Sequence, residues 1–176
     1  YAAQAGRGYL SMDITPKVRV VASTADRAQD VVLNGGGKNA VLCGEAEKAR
    51  LEEAEISLTL PQGFIRENNT PVYVKHEAAA GTYYYRSRVN TDGRLTFKTS
   101  HGFSPFTVLL EADVEALVGE TGYDTFQEAV DVAENGGTVV ALRDNLTAKV
   151  SGEKTFTLDT DGHAGVSLTA AEGYIL

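Results

Sequence analysis

The chain has 176 residues, enough for one domain or two small ones with a respectable core, and it carries 24 Asp/Glu against 16 Lys/Arg. Such an acidic balance argues against nucleic acid, because phosphate binding needs clustered Lys and Arg. Cys43 is the single cysteine, which rules out an internal disulfide and cannot by itself build a zinc site.

The charge is uneven. Residues 1–110 hold 13 Lys/Arg against 11 Asp/Glu, while residues 111–176 hold 3 against 13. This shift falls beside Glu111, Ala112 and Asp113 and marks a boundary; the acidity itself is adequately explained by solubility. No charged-then-apolar leader and no apolar run of membrane-spanning length is present, so the chain reads as soluble, with any targeting or anchoring element outside it. A secreted chain of this size without disulfides fits a Gram-positive exterior, and the cytoplasm is also compatible with this evidence.

In chain order, strand signals dominate the first part. Residues 11–23 (SMDITPKVRVVAS) are rich in β-branched side chains, with Val18, Val20 and Ala22 on one face at a period of two. Residues 30–33 form a short apolar strand closed by Asn34-Gly35-Gly36-Gly37, a flexible turn, and residues 40–43 follow. Residues 45–53 have helix-forming composition but few apolar positions for a buried stripe, so they read as an exposed, briefly helical connection. Residues 55–60 alternate, with Ile56, Leu58 and Leu60 inward, and Pro61-Gln62-Gly63 stops them. Residues 72–76, 82–89, 94–98 and 106–110 are further strands. The turn Asn90-Thr91-Asp92-Gly93 joins two of them, its glycine suited to positive φ. Strands at spacings of roughly 8–12 residues, punctuated by Gly, Pro and Asn, predict an antiparallel sandwich.

The run TYYYRSRVNTDGRLTFKTSHGFSPFTVLL, residues 82–110, carries a tyrosine strand, a turn, LTF and then HGFSPF. It resembles the closing strands of small β-sandwich modules in large secreted or cell-surface proteins of gut Gram-positive anaerobes. Upstream, residues 60–64 (LPQGF) and 72–76 (VYVKH) match the same pattern. Beyond residue 110 the chain is similar to a second element of those proteins, Y-x-T-[LF]-Q-E-A-V-x-x-A followed by a Gly-rich turn, T-V-x-L and TLD-x-x-GH. Here that element runs through Tyr123, Thr125, Phe126, Gln127, Glu128, Ala129, Val130 and Ala133 to Gly162 and His163, with Asp161 where the family often has Asn.

The helix in this element is also legible from its residues. Thr125 and Glu128 form a T-x-x-E capping box. Phe126, Ala129, Val130 and Ala133 make one apolar stripe, and Gly136 is placed to end the helix in the left-handed region. A stripe of this kind covers the open end of the following β layers; the alternative is an ordinary αβ unit in a compact domain.

Candidate chemistry is sparse. His76, His101 and His163 have no ligand spacing among them, and turn packing explains the last two economically. Cys43 follows an apolar strand and reads as a small buried hydrophobe. Ser104-Pro105 is no nucleophile elbow, and the Gly35–Gly37 loop lacks the ending of a phosphate loop. Asp159 and Asp161 would share a strand face, as carboxylates do in β-helix lyases, but Asp161-Gly162 signals a turn that the pair would cap. Tyr83 and Tyr85 share one face and Tyr84 the other. Exposed tyrosine supports sugar stacking or a protein contact, core packing being the ordinary fate of strand aromatics, and Arg86 and Arg88 could add polar contacts.

The resulting expectation is a mainly β protein. An antiparallel Ig-like β-sandwich spans 9–110, a linker 111–118, and a helix-capped β unit resembling the start of a truncated β-solenoid spans 119–176. The resemblance implies a non-catalytic binding or stalk module at the extracellular face or cell wall of a Gram-positive bacterium. Its partners would be host glycoprotein (mucin or immunoglobulin), polysaccharide, or neighbouring repeats of its parent chain, with no cofactor, metal, nucleic acid or membrane insertion. The partner surface would fall at Tyr83, Tyr85, Arg86 and Arg88. The alternatives are an accessory fragment of a polysaccharide-active enzyme, either a β-helix lyase or a glycoside hydrolase, and a pure structural spacer.

Overall fold

A computed structural model describes residues 2–6, 8–14, 20–24, 27–31, 54–61, 69–103 and 105–173. The expected elements at 32–53, including Cys43 and the Gly-rich loop, and the residues 62–64 and Ser104 lie outside them. Among the described residues the protein is mainly β, with one short helix.

One nine-stranded sheet organises the chain. Its members in sequence are β1 (Ala2–Gly6), β2 (Tyr9–Asp13), β6 (Pro71–Ala78), β7 (Gly81–Arg88), β9 (Phe106–Leu109), β10 (Ala116–Val118), β11 (Thr121–Tyr123), β12 (Thr138–Ala141) and β14 (Thr157–Asp159). Their spatial order is β1-β2-β9-β6-β7-β11-β10-β12-β14, antiparallel except for the final pair. Three two-stranded sheets accompany it: β3 (Val20–Thr24) with β4 (Arg27–Val31), β5 (Ala54–Thr59) with β8 (Arg94–Thr99), and β13 (Thr147–Val150) with β15 (Ser167–Ala170). Residues 11–23, expected as one strand, divide between the end of β2 and the start of β3.

Alternation along β6 and β7 gives the large sheet two buried faces. Val72, Val74 and Tyr85 point to one side, where they meet Ile56 and Leu58 of β5, Leu95 and Phe97 of β8, and Phe106 and Val108 of β9. The β5–β8 pair is therefore a second layer over the central strands. Tyr73 and Tyr84, one residue out of phase, point to the opposite side. There they pack with Ala112, Val114, Leu117, Val140 and Leu142 from the acidic part of the chain. Residues 111–118, read from sequence as a linker, thus contribute four buried side chains and the strand β10. The backbone continues the join, since Tyr84 donates its N–H to the Glu120 carbonyl at 2.8 Å and Thr121 pairs with Tyr83.

After β11 comes α1 (Phe126–Val132). Its capping box forms as expected: the Glu128 N–H donates to Thr125 Oγ1 at 3.2 Å, and the Thr125 N–H donates to the Glu128 carboxylate at 3.1 Å. Phe126, Ala129, Val130 and Ala133 are all buried, against Val139, Ala141, Ala148 and Val150. The helix does not end at Gly136. Ala133 already leaves helical geometry at ψ 125°, and Gly136, at φ 82°, belongs to the turn beyond.

The strands that follow repeat. β12 lies parallel to β14 with Thr138 beside Thr157, and β13 lies parallel to β15 with Thr147 beside Ser167. Each of β12 and β13 thus pairs in parallel with the next strand but one. Gln127 closes the other edge of β13: its side-chain amide donates to the Lys149 carbonyl at 2.8 Å and accepts the Lys149 N–H at 2.8 Å.

Candidate functional site

The sequence-predicted surface residues separate once folded. Tyr85 is not available to a partner: it is 6% exposed and sits in the core, its hydroxyl 2.9 Å from Thr99 Oγ1. Period-two alternation puts it on the β5–β8 side, where burial, opposed by the Thr99 hydrogen bond, pushes its phenol up to about 12. Tyr83 is half-buried and stacks flat on His101, with ring centroids 3.4 Å apart. His101 in turn bonds Glu120 at 2.9 Å, tying the β8–β9 loop to the β10–β11 turn.

Beneath Tyr83 lies His76, fully buried and stacked on Phe106, with Nδ1 3.4 Å from the Tyr85 hydroxyl. Its Nε2 has no hydrogen-bond partner among the described residues. Burial, with nearby His101 adding to it, lowers its pKa to about 4, so the ring is neutral.

Arg86 and Arg88 point to the other face, and there they meet the carboxylates of the TLDTDGH motif. Arg86 reaches Asp159 at 2.8 Å and Asp161 at 3.5 Å, while Arg88 reaches Asp161 at 3.6 Å. Tyr73 donates its hydroxyl to Asp161 Oδ2 at 3.3 Å, and Asp159 Oδ1 accepts the Asp161 N–H at 2.9 Å. The two aspartates thus cap a bend, and the bend is pinned to β6 and β7. That inner hydrogen bond, and then Arg86, hold the Asp159 carboxyl below its usual range. Burial, with Asp161 alongside, pushes the Tyr73 phenol up to about 12.

A second contact lies further along the same face. Asp113 accepts from Lys75 at 2.6 Å and from the Tyr84 hydroxyl at 2.7 Å. Burial favours its neutral form, but the bonds from Lys75 and Tyr84 outweigh that and keep its pKa low. Gly122 is required here, because a Cβ at that position would come within 2.5 Å of the Tyr84 ring.

Around the pinned bend the surface is hollowed. One recess of about 440 Å³ lies over Arg86, Ser87 and Arg88. A larger one, of about 670 Å³, lies between Leu110, Glu111, Arg143, Asp144 and His163, and the two share Pro71, Tyr73 and Asp161. Asp144 Oδ1 accepts from the Ala164 N–H at 2.9 Å and lies 3.1 Å from His163 Nδ1; these contacts lower its pKa. Arg143 donates to the Ala112 carbonyl at 3.2 Å.

Sequence reasoning flagged Arg86, Arg88, Asp159, Asp161 and His163 separately but did not bring them together, and it did not single out Tyr73, Glu111, Arg143 or Asp144 for this surface. The charge boundary beside Glu111 was the available signal, since a change of charge often marks where two packed units meet.

No family model matches this sequence, and neither a curated protein nor a solved structure matches it. No helix among the described residues is long and apolar enough to cross a membrane.

Proposed function

We propose that this protein is a non-catalytic, rigid binding or stalk module of an exported bacterial surface protein, in which an Ig-like β-sandwich is fused to the first turns of a β-solenoid. The sandwich reading is supported by the two layers that share one core across β5–β8 and the central strands. The solenoid reading is supported by the parallel β12–β14 and β13–β15 ladders and by a helix whose buried stripe and Gln127 amide close the first turn.

The observation that carries the functional reading is how the polar side chains are used. Asp159, Asp161, Arg86 and Arg88 bind one another across the join; His101 is held by Tyr83 and Glu120, and His163 by Asp144. Groups that could perform acid–base chemistry are committed to fixing one part of the chain against another. An apolar cluster beneath them makes the join stiff, as a spacer or a presenting platform requires. The partners in this reading are a host glycoprotein such as mucin or immunoglobulin, a polysaccharide, or adjoining repeats, met outside the cell or at its wall.

Incubation with pectin, mixed glycans and peptide libraries should give no turnover. Turnover lost on Asp161→Asn or His101→Ala would overturn the proposal.

A further inference from the structure

We propose that the larger hollow at the join is a subsite for one or two residues of a neutral oligosaccharide. This rests on the glycan-binding form of the reading above and gives it a location and a ligand class.

Size comes first. At about 670 Å³ the recess falls inside the range of about 300–1,000 Å³ usual for small-ligand sites, which gather where two packed units meet. A protein partner is the poorer fit, since stable protein interfaces bury about 1,600 Å² over a broad surface and this recess is confined between two turns.

The lining then selects the chemistry. Its apolar part is exposed Pro71 and half-buried Leu110, backed by the almost fully buried Tyr73 and Leu142, and can meet the C–H face of a pyranose ring. Its rim keeps unused polar capacity. Exposed Glu111 bonds nothing among the described residues, and Asp144 spends Oδ1 on two contacts while Oδ2 engages none of them. Arg143 uses one of its five N–H groups. Acceptors and a donor therefore share one rim, and a sugar hydroxyl, which both donates and accepts, satisfies both kinds.

Sign of charge decides among ligands. Glu111, Asp144 and Asp161 line the same recess and repel a uronate or sulfate. Arg86 and Arg88 in the adjoining recess are already engaged by Asp159 and Asp161, so they do not offset that repulsion. A neutral polyol meets no such penalty.

The test is amide chemical-shift mapping of the isotopically labelled chain with lactose, cellobiose, N,N′-diacetylchitobiose and digalacturonate. At least one neutral disaccharide should shift amides at 110–112, 143–145 and 162–164. Glu111→Ala should weaken that binding by about tenfold, as loss of a hydrogen bond to a charged group does, and Asp144→Asn, whose amide can still donate to a sugar hydroxyl, should weaken it less. Both variants should fold, since the Glu111 side chain makes no hydrogen bond or ion pair among the described residues and the amide oxygen introduced by Asp144→Asn can still accept the Ala164 N–H. Neutral sugar bound with shifts elsewhere overturns the site while leaving the glycan reading standing. Preference for digalacturonate, or binding of deglycosylated mucin or immunoglobulin alone, overturns the ligand class. Absence of any binding overturns this proposal together with the glycan-binding form of the reading and leaves its stalk form.

Discussion

Gln127 makes with the backbone of Lys149 the pair of hydrogen bonds that a neighbouring strand would make. Its amide oxygen accepts the Lys149 N–H and its amide nitrogen donates to the Lys149 carbonyl, both at 2.8 Å. β13 is bonded along its other edge by β15, so one helical side chain covers the edge that this pairing leaves open. Gln127→Ala removes both bonds, together with the one its amide nitrogen donates to Asp131 Oδ1 at 2.9 Å, and should lower stability by about 1–2 kcal/mol in urea unfolding. Gln127→Glu retains the acceptor but presents a carboxylate to the Lys149 carbonyl and to the Asp131 carboxylate one turn along the helix. Its deficit relative to wild type, measured pairwise at each pH, should therefore be larger at pH 7 than at pH 4, where the carboxyl can donate. Equal stability of all three proteins at pH 7 would show that the edge needs no such closure.

The join is held mainly by its apolar cluster. Leu117 is 1% exposed within that cluster, and Leu117→Ala should cost about 2–5 kcal/mol. Arg86 and Asp159 are each 38% exposed, so their attraction is screened by water and salt. A double-mutant cycle over Arg86→Ala and Asp159→Ala should give a coupling of about 0.5 kcal/mol that shrinks in 1 M salt. If the ion pair proved the costlier loss, the join would be electrostatic, and its rigidity would depend on ionic strength.

What could be read from sequence was what is local. The strands at 72–76, 82–89 and 94–98 each carry several residues of alternation, and the division of Tyr83 and Tyr85 from Tyr84 follows from the period of two alone. The capping box needs four consecutive residues, and all four were visible. β10 and β11 were missed because three-residue strands carry no measurable period, and β1, reading AAQAG, has no β-branched or aromatic residue to announce it. The site was illegible for a different reason. Arg86 and Asp159 stand 73 residues apart in sequence, and what brings them together is the acidic part, whose strands continue the large sheet and whose apolar side chains pack against Tyr73 and Tyr84 of β6 and β7. Nothing in either motif alone encodes that meeting. Tyr85 shows the converse limit: the pattern gave its face correctly and left open which face would be covered.

Gly122 tests that packing directly. Its backbone is not in the left-handed region, so the constraint is space alone: an added Cβ would stand 2.5 Å from Tyr84 Cε2 and 3.1 Å from Val114 Cγ1. Tyr84 is 5% exposed and anchored to Asp113, so its ring has little freedom to retreat. Gly122→Ala should cost about 1–3 kcal/mol, the usual penalty of overpacking. In the Tyr84→Ala background the same change should cost well under half as much, a non-additivity expected of residues in contact. Additive costs would mean that the two positions do not meet.

His76 predicts how stability depends on pH. Its folded-state pKa is about 4, against an ordinary value near 6.5, so between those limits the unfolded chain takes up a proton that the folded chain refuses. Stability from the neutral ring is therefore complete above about pH 6.5 and falls away as pH drops towards 4, by an amount on the order of 3 kcal/mol. The groups around the ring do not supply a counter-charge: Tyr83, Tyr85 and Phe106 are its neighbours, and His101 opposes its protonation. Asp113 and Asp159 act in a lower window. Their carboxyls are held below the ordinary value, so the stability they contribute is lost only as pH falls below about 4, and the two effects can be told apart. Urea unfolding at pH 7, 5.5 and 4.5 should show wild type weakening across the series, and His76→Phe should weaken much less. Phe keeps the stacking on Phe106, removes a buried nitrogen with no partner among the described residues, and gives up only the 3.4 Å bond to the Tyr85 hydroxyl, which Thr99 still bonds, so little stability should be lost at pH 7. Parallel decline of the two proteins between pH 6.5 and 4.5 would assign the acid sensitivity to another group.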